Sequence, residues 1–88
     1  MARYLKDPNA KLDYQIDWST WLDGDTISAS SWTVPDGVVN DDDSNSDTAA
    51  TIWLTGGTAG TEYEVVNRIV TAGGRQDERT ITIVCEDR

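Results

Sequence analysis

Leu54-Thr55-Gly56-Gly57-Thr58-Ala59-Gly60-Thr61-Glu62-Tyr63-Glu64-Val65 is the stretch on which the fold turns. A leucine, a glycine-rich corner, and then a tyrosine and a valine two apart form the pattern of a tyrosine corner. In that motif the phenol hydroxyl bonds backbone a few residues upstream and pins a crossing between two sheets. An ordinary core tyrosine is the plainer alternative. On one side of the corner Ala50, Ile52 and Leu54 alternate with Thr51, Trp53 and Thr55. On the other, Tyr63, Val65 and Ile69 share one parity in a run from Thr61 to Thr71. Period-two alternation marks strands with one face buried.

The same alternation extends outward. Leu12, Tyr14, Ile16 and Trp18 are separated by Asp13, Gln15 and Asp17, which predicts a strand that Ser19 to Leu22 continues or turns out of. Thr26 to Val34 predicts another, with a parity change between Ala29 and Trp32 that calls for a bulge near Ser30-Ser31. Val38-Val39 reads as a short edge strand and the wholly polar Asn40 to Asp47 as a loop. Ala72 to Asp77 reads as a hairpin loop leading into Glu78 to Glu86, where Ile81, Ile83 and Cys85 point one way. No window holds a competing helical period. The expectation is an all-β, immunoglobulin-like Greek-key β-sandwich of about seven strands, with a small closed barrel as the alternative. Eighty-eight residues close a single core. Residues 1–10 are expected to be an extended N-terminal arm and 11–88 the sandwich domain.

Composition narrows the chemistry. There is no His and one Cys, so the commonest general base, the commonest metal ligand and any disulfide framework are missing. Cys85 reads as a small apolar strand residue in a reducing compartment. The glycines match no phosphate loop, and sixteen acids in a short chain make close carboxylate pairs uninformative. The expectation is a binding protein and not an enzyme. Net charge is −9, with eleven acids and no base between residues 12 and 64. Such a surface repels nucleic acid and anionic membrane. With no apolar run at the N-terminus or elsewhere, the reading is a soluble product of the cytoplasm of the cell that expresses it.

Asp41, Asp43, Asn45 and Asp47 offer oxygen ligands at alternating positions. Ser46 stands where a calcium loop needs Gly and Ile52 where it needs a closing Glu, so a solvated loop is expected, with weak calcium binding left open and no other cofactor. For partners, Val66, Val70 and Val84 face away from the core side of their strands and, with Arg68, predict an aliphatic patch suited to an interface, an imperfectly polar surface being the equal alternative. Four Trp exceed what a thin core needs: Trp18 and either Trp32 or Trp53 fill it, leaving Trp21 and one other as anchors. The basic arm adds Arg3, Lys6 and Lys11 as partner-binding candidates.

The chain also resembles a known family. Lys6-Asp7-Pro8, Leu12-Asp13-Tyr14 and Asp17-Trp18-Ser19-Thr20-Trp21-Leu22 follow the opening of small tailed-bacteriophage virion proteins described as fibre-tail adaptor or Ig-like virion proteins. The likeness runs on through Ser31-Trp32-Thr33-Val34-Pro35, Thr51 to Thr61 and Val66 to Arg75, ending at Asp77-Glu78-Arg79, and departs from the pattern at Asn40 to Asp47. It implies a structural virion component assembled in the host cytoplasm, binding other virion proteins at the neck, tail or fibre attachment site. Several copies around a symmetric assembly are expected. Capsid-surface decoration, or binding of a host carbohydrate through exposed Trp and carboxylates, is the alternative.

Overall fold

A computed structural model describes residues 2–8 and 10–86. Seven strands and one helical turn follow in the order β1 (Ala2–Lys6), β2 (Leu12–Asp17), α1 (Ser19–Leu22), β3 (Ile27–Thr33), β4 (Val38–Asn45), β5 (Ala49–Gly56), β6 (Glu62–Thr71) and β7 (Gln76–Cys85). They form a four-stranded sheet, β1-β7-β6-β3, packed on a three-stranded sheet, β2-β5-β4. The chain passes from one sheet to the other at β1–β2, β2–β3, β3–β4 and β5–β6, which is the Greek-key connectivity of an immunoglobulin-like sandwich. The core is built from the inward residues of both sheets, among them Ile16, Trp18, Ile52, Leu54, Val65, Ile69 and Ile83.

The tyrosine corner forms as the sequence predicts. Tyr63 Oη accepts the Thr58 N–H at 3.0 Å, while its ring packs so closely on Gly37 that a Cβ there would lie 2.7 Å from Cε1. Gly37 also holds φ at +106°, so both space and conformation require glycine. The opposite end of the sandwich is fastened differently. The Asp17 carboxylate accepts the Ser19 N–H at 2.9 Å and starts α1, where a continuation or turn of the strand was expected; Asp23, at φ 47°, ends it. This turn seats Trp18 in the core, and its Nε1 donates to Asn67 Oδ1 on β6 at 3.0 Å. Asn67 in turn donates to Ser30 Oγ at 2.9 Å and to the Ser31 carbonyl at 3.0 Å on β3, so one buried amide joins both sheets.

Two segments differ from expectation. Residues 2–6 are not an arm: β1 runs parallel to β7 in register Ala2↔Ile81 to Lys6↔Cys85 and completes the sheet. Arg3 faces outward and Tyr4 packs on the core, but the next pair is reversed, with Lys6 buried inward and Leu5 half exposed outward, so no apolar alternation announces the strand. Asn40 to Asn45 is not a loop but the greater part of β4, with its bulge between Asn40 and Asp42. It lies at the sheet edge with residues 41–45 exposed, so neither parity needs apolar residues, and its acids discourage further edge pairing. The bulge in β3 falls between Ile27 and Ala29, earlier than expected.

Asp25 fastens the β6–β7 hairpin to the segment before β3. It accepts from the Thr26 N–H at 2.8 Å, the Gly73 N–H at 3.1 Å and Arg75 Nε at 3.4 Å. The Thr71 hydroxyl first, and then these donors, hold its carboxyl below the usual carboxylate range. A carboxyl depressed in the folded state adds stability that is complete above its unfolded pKa, near 4, and is lost as pH falls through the folded value. Urea midpoints at pH 7 and pH 3 should therefore differ less in Asp25→Asn than in the native protein; an unchanged difference would remove Asp25 from the acid response. For the buried amide, Asn67→Leu leaves Trp18 Nε1 without its acceptor and removes two further bonds, at an expected cost of about 3 kcal/mol in urea unfolding. A loss under about 0.5 kcal/mol, typical of a surface site, would contradict the role given to Asn67.

Candidate partner-binding surfaces

The structure places two of the residues read as partner contacts, Lys6 and Trp21, in the packing of the scaffold. Lys6 is fully buried, its Nζ donating to the Asp7 carbonyl at 2.9 Å and the Gly56 carbonyl at 2.7 Å, so it ties β1 to the end of β5. Trp21 packs against the core with its ring edge-on to Trp18 at 5.4 Å, and the Arg75 guanidinium covers it at 4.5 Å. Arg75 also donates to the Leu22 carbonyl at 2.6 Å, and Arg79 sits 4.2 Å over Trp18. These stacked pairs close the α1 end of the sandwich and hold the partly buried Trp21 in that packing. Trp32 packs against the core as well, which makes Trp53 the exposed tryptophan.

The remaining candidates divide between the two outer faces. On the four-stranded sheet, register sets Leu5 beside Val84 and Glu62, Arg3 beside Thr82 and Glu64, Thr80 beside Val66 and Thr33, and Gln76 beside Val70 and Ala29. Val66, Val70 and Val84 do share this face, but threonines and charges separate them, so the continuous aliphatic patch expected from parity is a row of β-branched side chains studded with polar groups. Arg3 spans β7 to reach Glu62 in a bidentate pair at 2.8 and 3.1 Å. These hydrogen bonds and the guanidinium charge hold the Glu62 carboxyl below its ordinary range. Arg68 bonds to Gln76 Oε1 across the same face.

The three-stranded sheet presents a different chemistry. Trp53 stands at its centre, 37% exposed, with Asp13 and Asp42 directly opposite on the two neighbouring strands. Lys11 pairs with Asp41 at 2.6 Å and lies 5.8 Å over the Trp53 ring. Lys11, Asp41, Asp42 and Trp53 line a recess of about 410 Å³. Sequence alone does not mark Asp13 and Asp42, because only the pairing of both β2 and β4 with β5 sets a carboxylate on either side of Trp53. Of the oxygen ligands read for calcium, Asp41 is engaged by Lys11 and Asp43 accepts from Asn40 Nδ2 at 2.9 Å. Asn45 Nδ2 donates to the Ser46 carbonyl at 3.1 Å. Among the described residues no three of His, Cys, Asp or Glu are grouped to hold a metal. Cys85 is buried, with its sulfur so near Gly57 that a Cβ there would lie 2.3 Å away.

Comparison with known proteins bears on both fold and family. The chain superposes on the solution structure of the PKD domain from KIAA 1837 protein with a TM-score of 0.59 and 19% identity, covering 99% of this chain and 80% of that one. At that identity the likeness is one of fold. No curated protein matches the sequence. The family model described as podophage GP4 fiber-tail adaptor protein gp77 matches residues 6–84, which includes every strand except β1 nearly in full. The chain therefore belongs to the podophage GP4 fiber-tail adaptor protein gp77 family.

Proposed function

We propose that this protein is a structural adaptor of a tailed-phage virion, assembled in the host cytoplasm and present in several copies around a symmetric tail or neck. It joins fibre to tail by binding, not by catalysis. The observation that carries this reading is the pair of outer sheet faces. They lie on opposite sides of one slab measuring 42 × 21 × 18 Å, and they differ in chemistry. One is β-branched with compensated charges around Val66, Val70 and Val84; the other is acidic around Trp53. A rigid body with two unlike faces is what an adaptor between two unlike proteins needs, since each face selects its own partner. The family name supports the same role. Arg3 and Arg68, each engaged by a neighbour on the first face, supply its polar rim.

The central position of Val66 on the four-stranded face makes it the site to test. Val66→Lys places a charge at the middle of that face without touching the core. Recovery of the protein in purified particles should fall by at least tenfold while its melting temperature stays within a few degrees of native. Particles that take up Val66→Lys at the native level would overturn the assignment of this face to virion contacts.

A further inference from the structure

We propose that the Trp53 face is a receptor for a cationic side chain, an arginine or lysine carried on an extended segment of a partner protein. This rests on the adaptor reading only in taking the partner to be a protein. Trp53 is the one aromatic among the large hydrophobic residues that stand exposed in the described structure. Its neighbours on both flanking strands in the same register row are carboxylates, Asp13 and Asp42. An aromatic ring framed by two carboxylates offers a cation the negative face of the ring and charge on either side.

The chain itself shows what the recess accepts. Lys11 places its ammonium 2.6 Å from Asp41 Oδ2 and 5.8 Å from the Trp53 centroid, in the recess of about 410 Å³ that these residues share with Asp42. Both partners of that ion pair are about half exposed, so the bond is weak and exchangeable. Lys11 is thus an internal occupant that a better-placed cation displaces. Arginine suits the position better than lysine, because its planar guanidinium stacks on the ring while donating to a carboxylate. Long-range attraction acts in the same direction, since residues 12–64 carry eleven acids and no base. A neutral sugar would also stack on an exposed tryptophan, but it would draw no benefit from the flanking charges.

The full-length protein, labelled for NMR, is titrated with the peptide Gly-Arg-Gly-Arg-Gly, with Gly-Glu-Gly-Glu-Gly and with maltotetraose. The arginine peptide should move the Trp53 indole N–H and the amides of Asp13 and Asp42, and the other two should not. Trp53→Ala, an outward position whose loss leaves the core intact, should weaken binding by about tenfold, and Trp53→Tyr should restore most of it. Lys11→Ala should strengthen binding severalfold by removing the internal competitor. Binding unchanged in Trp53→Ala would reduce the effect to diffuse acidic attraction, and a response to maltotetraose alone would make the face a sugar platform; either overturns the proposal, as does weaker binding in Lys11→Ala. Failure here leaves the Val66→Lys incorporation result standing, so the two readings fall separately.

Discussion

The hydrogen bond from Trp18 Nε1 to Asn67 Oδ1 is the contact on which the rest of this sandwich depends. It spans from the end of β2 in one sheet to the middle of β6 in the other, the two strands that a disulfide joins in antibody domains. With a single, buried cysteine, this chain has no such bridge. A polar group in a dry core is costly unless it is bonded, and the Asn67 amide is bonded from both sides through Trp18, Ser30 and Ser31. An apolar pair would bury as much surface but would not dictate register. The bonded amide does, and Trp21, Arg75 and Arg79 are layered onto the indole it fixes.

This internal economy explains the outside. The inward residues of both sheets are spent on one thin core, closed at one end by Tyr63 against Gly37 and at the other by the tryptophan–arginine stack. What remains is two broad faces held rigidly back to back. Lys6 and Trp21 belong to the scaffold, whereas Val66, Val84 and Trp53 face outward and are the side chains to which the proposed reading gives the partner contacts.

Much of this was legible in the sequence, and the exceptions have physical causes. β2, β5 and β6 show nearly their full extent in the sequence because each buries one parity, and Tyr63 announces the corner because a glycine-rich turn precedes it. β1 escaped because, beside the inward Tyr4, its other inward side chain is a lysine satisfied by two carbonyls, a pattern that hydrophobic alternation cannot register. β4 escaped because its acidic half lies exposed at an edge. The valines were placed on the right face, yet parity along single strands says nothing of what sits between them once strands pair. The Asp13–Trp53–Asp42 row exists only in the register of three strands, and no one of them reveals it.

The central claim is that one rigid sandwich serves two different neighbours through its two faces. Electron cryomicroscopy of intact particles, at a resolution that shows side chains, tests it most directly. The account predicts that each copy has Val66 covered by one virion protein and Trp53 by another. A particle in which either face stands open to solvent in every copy would contradict it.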